Sequence, residues 1–249
     1  MTIFETTDLT AASYSATLFG LVATAVLLLM GSSWVHGRWK LVITLCACSA
    51  IVGVGAMFEA RAAWESGAVP IVYHYVGWVI SMPLQILALY FFAGCIGHVS
   101  LGLFWRLVVV SVLMVFVRYL GEATFMHPTL AFLIGLVFWL YILGELFFGS
   151  LNATVQGSLN KPVIRAYFWL RLIVTIGWAI YPLGNFITSF GGYTDGGAMS
   201  VAYNIADFLN RMAFGIAMLS AGYQATAGKG SPRLNNENTP QHNINKREG

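Results

Sequence analysis

The amino-acid sequence predicts an all-α fold, a bundle of seven transmembrane helices. Hydrophobic residues make up 58% of the 249-residue chain and charged residues only 9%, whereas soluble domains carry about a quarter charged residues. Apolar segments of about 20 residues or more follow one another, long enough to cross about 30 Å of hydrocarbon as helices. In order, the segments cover about Ala12–Trp34, Leu41–Ala60, Val72–Ile96, Leu101–Leu120, Thr129–Phe148, Tyr167–Phe190 and Ser200–Gly222.

The first four segments are interrupted by few polar residues. The first contains no charged residue, and the second meets Glu59 only at its far end. The third contains His74 and Pro83, and the fourth is bracketed by Arg106 and Arg118. Helices joined by short loops satisfy every backbone polar group inside lipid, so each segment is expected to cross the membrane once.

The last three segments carry more polar residues. The fifth has Glu145 near its end, and the sixth has Arg171 early and Pro182 late. The seventh carries Asp207 and Arg211 near its middle, four residues apart and therefore on one helix face. Charges at that depth are expensive and usually face a protein interior, so this pair is a functional hypothesis.

Basic residues predict the orientation, because cytoplasmic loops carry an excess of lysine and arginine. One side holds two basic loops and the basic C-terminal tail, with Arg38, Lys40, Lys161, Arg165, Lys229, Arg233, Lys246 and Arg247. The opposite side has only Arg61 and Arg118. We therefore expect a multi-pass protein of the inner (plasma) membrane with its N-terminus outside and its C-terminus in the cytoplasm.

The chain divides into three regions by composition. Residues 1–11 are expected to form a short extracellular or periplasmic tail. Residues 12–224 form the membrane domain. Residues 225–249 are rich in Asn, Pro, Gln and charge, a composition that predicts a disordered cytoplasmic tail.

An enzyme and a metal site are not expected. The three cysteines, Cys46, Cys48 and Cys95, lie in apolar runs, which predicts buried free thiols. Nothing resembles a nucleophile and base pair or a metal-ligand cluster. The modest net charge of +3 gives no reason to expect nucleic acid as a partner, and the lipid bilayer is the partner that the composition requires.

Aromatic residues near the middle of several segments suggest an internal cavity. Trp78, Trp139, Trp178 and Tyr181 would lie deep in the membrane, although Trp and Tyr usually favour its interfaces. Their composition alone fits a flat-walled cavity and a packed core equally well.

Four sequence stretches carry a family likeness: YHYVGWVISMPLQILALY in the third segment, RYLGEA at the end of the fourth, RLIVTIGWAIYPLGNF in the sixth and YNIADFLNR in the seventh. Together they resemble microbial rhodopsins of the proteorhodopsin-like branch. The matching residues occur in order on separate segments, and the likeness covers Ala12 to Gly222.

The resemblance implies a seven-helix bundle around a cavity for all-trans retinal. It implies that the cavity is lined by Tyr75, Trp78, Met82, Gly121, Trp139, Trp178, Tyr181 and Pro182. It also assigns Asp207 to the counterion position on the seventh helix. His74 and Ser81 would be further polar residues of the interior.

The main departure from the family is at the retinal attachment position. In the family, the residue four after that aspartate is a lysine that forms a Schiff base with retinal, whereas here it is Arg211. All four lysines are expected in loops or in the tail. A lysine amine can lose its proton and attack an aldehyde, but a guanidinium stays charged in proteins, so covalent retinal attachment is not expected.

Two further departures concern proton transfer. The position of the family's proton acceptor is Gly77, and that of its proton donor is Ala88. A pump needs one ionisable site to take a proton and another to return it, so the chain is not expected to pump as it stands.

Three functions remain open after these departures. The first is an accessory or oligomerising partner of membrane proteins such as pigmented rhodopsins, in homo-oligomers or hetero-oligomers. The second is a photoreceptor or sensor that binds retinal or another retinoid non-covalently, with no covalent cofactor. The third is residual light-linked ion transport through His74, Asp207 and Arg211.

Overall fold

The computed structural model describes residues 8–68, 70–190 and 196–227, and within those ranges it contains helices and no strand. The helices are α1 (Leu9–Gly31), α2 (Trp39–Glu65), α3 (Ile71–Gly94), α4 (Leu101–Glu122), α5 (Pro128–Phe147), a short α6 (Ser150–Gln156), α7 (Lys161–Leu172), α8 (Trp178–Phe190) and α9 (Gly196–Thr226). A 3₁₀ turn (Ser32–Trp34) follows α1, and a π-helical segment (Ile173–Gly177) joins α7 to α8. The predicted all-α fold is confirmed.

The long helices form a closed seven-membered bundle in which α7, the π-helical segment and α8 act as one span. Neighbours in sequence pack side by side from α1 to α5, and α9 closes the bundle against α1, α2 and α7. Six spans in the described part of the chain are long and apolar enough to cross a membrane. The span built on α9 is not among those six, and it is the one that contains Asp207 and Arg211.

The helix ends differ from the predicted segment bounds where polar residues continue a helix beyond the apolar core. The second helix runs from Trp39 to Glu65, and the last one runs from Gly196 to Thr226. Helix α1 begins at Leu9, inside the stretch expected as a tail. Residues 1–7 and 228–249 of the two predicted tails lie outside the described residues.

The prediction that Lys40, Lys161 and Arg165 lie in loops is wrong. Lys40 is the second residue of α2, and Lys161 and Arg165 lie in the first turns of α7. The Asn160 side chain caps α7 by accepting a hydrogen bond from the Val163 amide at 3.4 Å, and Pro162 suits the first helical turn because its missing N–H is not needed there. The polar residues are therefore the start of the sixth span.

Small residues allow the closest approaches between neighbouring helices. A Cβ atom added at Gly77 of α3 would lie 2.6 Å from the Ala56 Cβ of α2. A Cβ atom at Gly121 of α4 would collide with the Ala131 side chain of α5. Small residues at such contacts let helix backbones approach closely in a membrane protein.

Candidate functional site

The centre of the bundle holds a buried ion pair within α9. Arg211 Nη1 lies 3.0 Å from Asp207 Oδ1, and the two residues are separated by one helical turn. Asp207 is 1% exposed and Arg211 6% exposed. Because an unpaired charge at this depth would be costly, each residue supplies the partner that the other requires.

The same carboxylate oxygen accepts two more hydrogen bonds. Trp78 Nε1 of α3 donates to Asp207 Oδ1 at 2.8 Å, and Tyr181 Oη of α8 donates to it at 2.8 Å. Hydrogen bonds to an ionised acceptor are stronger than neutral ones. This set of donors therefore holds Asp207 as a carboxylate and ties three helices together around it.

The second oxygen of Asp207 faces His74 of α3. His74 Nδ1 lies 3.5 Å from Asp207 Oδ2, and neither atom has a hydrogen-bond partner within the described parts of the chain. On the other side of the ring, Nε2 lies 3.5 Å from the Tyr14 hydroxyl of α1. His74 thus stands between the buried carboxylate and the first helix, with long contacts on both sides.

The Arg211 guanidinium spans the gap between α9, α3 and α2. Its Nη2 donates to Ser81 Oγ at 2.9 Å, and the Ser49 hydroxyl of α2 donates to the Ser81 carbonyl at 3.2 Å. A Cβ atom at Gly53 of α2 would lie 3.2 Å from Arg211 Nε. The guanidinium fits because position 53 has no side chain, a requirement that no sequence pattern had indicated.

The π-helical segment of the sixth span leaves backbone carbonyls that side chains satisfy. Trp139 Nε1 of α5 donates to the Val174 carbonyl at 3.2 Å. Asn210 Nδ2 of α9 donates to the Gly177 carbonyl at 2.9 Å and to Tyr181 Oη at 3.3 Å. Such π segments interrupt the regular ladder, often at functional sites, and this one is fixed immediately before Trp178.

An apolar cavity adjoins the ion pair between α3, α4, α5, α8 and α9. Its free volume is about 60 Å³, below the range of about 300–1,000 Å³ typical of ligand pockets, so an elongated ligand would require the lining side chains to move apart. Its lining is Tyr75, Trp78, Met82, Met114, Val115, Arg118, Gly135, Leu136, Trp139, Trp178, Tyr181, Pro182 and Tyr203. Trp78 and Tyr181 connect it to the ion pair, because both also donate to Asp207.

The structure brings seven of the eight predicted lining residues together around this cavity. The eighth, Gly121, instead lines a second cavity between α4 and α5. Asp207, Arg211, His74 and Ser81 form the neighbouring polar cluster and do not belong to the cavity lining. Arg118 lines the cavity too, although sequence reasoning assigned it to the outer membrane face.

The two positions at which the family resemblance predicted lost proton carriers lie in apolar surroundings. Gly77 lies in the close contact of α3 with Ala56. Ala88 is fully buried in the main hydrophobic core, in the same cluster as Leu89 and Phe92. Neither position touches a polar cavity among those found in the described residues.

The sequence profile of bacteriorhodopsin-like proteins matches residues 8–224, which include α1 to α8 and all but the last two residues of α9. The chain belongs to the bacteriorhodopsin-like family. It is 31% identical over 216 residues to the green-light absorbing proteorhodopsin of Gamma-proteobacterium EBAC31A08, covering 85% of this chain and 86% of that protein. It is 29% identical over 219 residues to the blue-light absorbing proteorhodopsin of Gamma-proteobacterium Hot 75m4, covering 85% of each.

Solved rhodopsin structures share the fold. The crystal structure of a blue light-absorbing proteorhodopsin from Med12 superposes with a TM-score of 0.76 at 29% identity, covering 88% of this chain and 100% of that one. Exiguobacterium sibiricum rhodopsin gives a TM-score of 0.79 at 23% identity, covering 88% and 97%. The predicted family and the multi-pass membrane architecture are thereby confirmed.

Retinal is the ligand that this family normally binds, and an aromatic cavity suits its apolar chain. No lysine lines the cavity in the described part of the bundle. Lys40 and Lys161 stand at the starts of α2 and α7, and Lys229 and Lys246 lie outside the described residues. Within the described residues, the cavity lining therefore offers aromatic contacts to an apolar chain and no lysine amine.

Proposed function

We propose that this rhodopsin-family protein binds a retinoid or a similar elongated apolar molecule non-covalently, as a receptor or sensor. The observation that carries the proposal is the arrangement of Arg211. Its guanidinium is occupied by Asp207 at 3.0 Å and by Ser81 at 2.9 Å, next to an aromatic cavity that has no lysine in its lining. We propose that the aromatic lining of a retinal cavity is kept, while the group that would form the covalent bond is replaced.

The chemistry of the guanidinium supports this proposal. Arginine keeps its proton in proteins and offers no free electron pair, so it does not condense with an aldehyde. We propose that Arg211 stands at the retinal attachment position and permanently supplies the positive charge that balances Asp207. The buried pair is then complete before any ligand enters.

Ion transport has weaker support than ligand binding. Asp207 is the single carboxylate among the buried side chains of the described residues, and it is already paired. The predicted acceptor and donor positions, Gly77 and Ala88, carry no ionisable group. At the two positions that the family resemblance assigns to proton transfer, a residual path through His74 would find no carboxylate.

The proposed function is tested by adding all-trans retinal to the purified protein in lipid nanodiscs. We expect a band close to that of free retinal, which is lost when the sample is washed with empty nanodiscs. Trp178→Leu, in the cavity lining, should weaken retinal uptake about tenfold or more, because the large apolar contact area of the indole ring is lost. Trp105→Leu is the matched control, since Trp105 is 59% exposed on the outer face of α4.

Two results would count against ligand binding. A strongly red-shifted band that survives washing would indicate covalent attachment. Retinal uptake that Trp178→Leu and Trp105→Leu reduce equally would indicate partition into lipid rather than binding in the cavity.

An accessory role in oligomers is the second proposal. The outer face of α5 carries an apolar stripe formed by Leu130, Leu133, Val137 and Leu140, each at least half exposed. Lipid or another protomer could cover this stripe, and a role as a partner of pigmented rhodopsins needs only such outer surfaces. Native mass spectrometry from nanodiscs tests it: a stable oligomer, alone or with a co-expressed proteorhodopsin, supports it, and a monomer under both conditions overturns it.

A further inference from the structure

Arg118 is the single charged residue in the described lining of the aromatic cavity. It lies one helical turn before the end of α4, whereas the buried arginine of α9 lies outside the lining. The remaining lining residues are apolar or aromatic. An arginine in such a lining is expensive unless polar groups pair with it. The Tyr75 side chain is one hydrogen-bond partner of Arg118, and a ligand carboxylate would be a stronger one.

The Arg118 side chain lies along α5 and does not extend freely into lipid. A Cβ atom at Gly135 would lie 2.5 Å from Arg118 Cδ, so the stem occupies the space left by that glycine. The guanidinium carbon lies 5.1 Å from the centre of the Phe132 ring, within the range of a cation–π contact. This packing fixes the position of the charge at the cavity wall.

Among the described residues, no carboxylate lies at ion-pair distance from Arg118. The ion pairs within the described residues join Arg61 with Glu65, and Asp207 with His74 and Arg211. No carboxylate within that part of the chain therefore lies within 4.0 Å of the Arg118 guanidinium. A guanidinium binds a carboxylate through two parallel hydrogen bonds, and this pairing is stronger where water is scarce.

A second cavity begins where the aromatic cavity ends. It is lined by Arg118, Gly121, Glu122, Thr124, Pro128, Ala131 and Phe132, and Glu122 is engaged in an interaction of its own. Arg118 is the residue that the two cavities share. A ligand could thus place its apolar body among the tryptophans and its head group at this junction.

We infer that the cavity binds a molecule with a long apolar body and a carboxylate head, and that Arg118 recognises the head. The inference rests on the proposed non-covalent function and specifies its ligand class, a polyene acid or a fatty acid. Arg211 does not compete for the head group, because Asp207 neutralises it and neither residue lines the cavity.

The test compares all-trans retinoic acid with all-trans retinol, which have the same hydrocarbon body. Binding to the full-length protein in nanodiscs of neutral lipid is followed by quenching of tryptophan fluorescence, since Trp78, Trp139 and Trp178 line the cavity. We expect the dissociation constant of the acid to be about tenfold or more below that of the alcohol, because only the acid can form a charge-assisted hydrogen bond with Arg118. R118Q should abolish this difference, and R118K should retain most of it.

A matched control separates recognition from a general loss of positive charge. Arg171 also stacks over aromatic rings, at 5.1 Å from Tyr167 and 4.9 Å from Phe147, but it does not line the cavity. R171Q should leave the preference for the acid unchanged. Competition with oleate then distinguishes the two ligand classes, fatty acids and polyene acids. If oleate displaces retinoic acid, the ligand is a fatty acid; if it does not, the ligand is a polyene acid. Either result agrees with recognition of a carboxylate.

The failures of the two proposals can be told apart. If retinol and retinoic acid bind equally, or if R118Q weakens both to the same extent, the carboxylate inference is overturned while ligand binding stands. If neither retinoid binds to folded protein, the proposed function and this inference are both overturned.

Discussion

Arg211 Nη1 lies 3.0 Å from the Asp207 carboxylate of the preceding helical turn, and both residues are buried. The pair is internal to one helix, so it forms whether or not a ligand is present. Trp78 and Tyr181 complete the shell of donors around the carboxylate. The interior charge balance of the bundle therefore depends on the protein alone.

Removing the positive partner should be far more damaging than replacing it. Arg211→Ala leaves Asp207 as an uncompensated buried charge, a change that costs about 3–5 kcal/mol. Arg211→Lys keeps the charge and should cost much less. Thermal unfolding in nanodiscs measures the difference.

The double variant Asp207→Asn with Arg211→Met supplies the control for that prediction. It removes both charges at similar volume, so it should be more stable than Arg211→Ala alone. Equal melting temperatures for Arg211→Ala and Arg211→Lys would contradict a stabilising ion pair.

Gly53 should tolerate no side chain, because the Arg211 guanidinium occupies the adjacent space. An added Cβ atom would lie 2.9 Å from Leu21 Cδ1 and 3.2 Å from Arg211 Nε. Gly53→Ala should lower the free energy of unfolding by about 1–3 kcal/mol through overpacking. Gly55→Ala on the same helix is the control, since an added Cβ atom there meets nothing within 4 Å.

The outcome for Gly55→Ala follows from helix propensity. Alanine is favoured over glycine in a helix by about 0.5–1 kcal/mol, so this variant should be as stable as the wild type or slightly more so. Equal effects of the two alanine substitutions would show that neither Leu21 nor Arg211 packs tightly against Gly53.

The start of α1 should be sensitive to acid. Asp8 accepts hydrogen bonds from the Thr10 and Ala11 amides at 2.9 and 3.0 Å and from Trp64 Nε1 at 2.8 Å. The Ala11 amide, followed by Trp64, lowers the pKa of Asp8 below its ordinary value of 3.8. Because the folded state has the lower pKa, the stabilisation is present above pH 3.8 and is lost as the pH falls below it.

Asp8→Asn tests this pH dependence. Asparagine still caps a helix but does not titrate. Between about pH 5 and about pH 3, a range that includes the carboxylate pKa, the melting temperature of the variant should therefore fall less steeply than that of the wild type. Parallel curves for the two proteins would assign the acid sensitivity to other carboxylates.

The predicted orientation can be tested with a tag at each terminus. The distribution of basic residues in the sequence predicts a cytoplasmic C-terminus. A C-terminal tag on spheroplasts should therefore react with an impermeant reagent only after lysis, and an N-terminal tag should react before it. The reverse pattern would contradict the orientation.

The sequence was sufficient for the all-α membrane fold and for the family, and seven of the side chains it singled out lie around one cavity. The length of an apolar segment is a strong predictor of a membrane helix. Trp78, Trp139 and Trp178 each stand near the middle of a different apolar segment, so their depth in the membrane could be predicted. The bounds were less accurate, because polar residues such as Lys161 and Glu65 extend a helix beyond its apolar part.

The contacts that shape the site could not be predicted in the same way. The fit of Gly53 against Arg211 depends on how α2 and α9 approach each other. The π-helical segment before Trp178 depends on side chains from α5 and α9 that satisfy its carbonyls. Arg118 was read as an interfacial arginine, and only the packing against Gly135 reveals it as part of the cavity wall.

The most direct test of non-covalent binding is to trap any Schiff base chemically. Retinal is added to the wild type and to R211K in nanodiscs, borohydride reduces any imine, and mass spectrometry locates retinyl groups on the digested protein. For the wild type we predict retinal that binds the native protein before washing, is fully extracted on denaturation and is absent from every peptide of α9, whereas R211K should carry a retinyl group at position 211. A retinyl group trapped on the wild-type membrane spans, or no uptake of retinal by the native protein before washing, would contradict non-covalent binding.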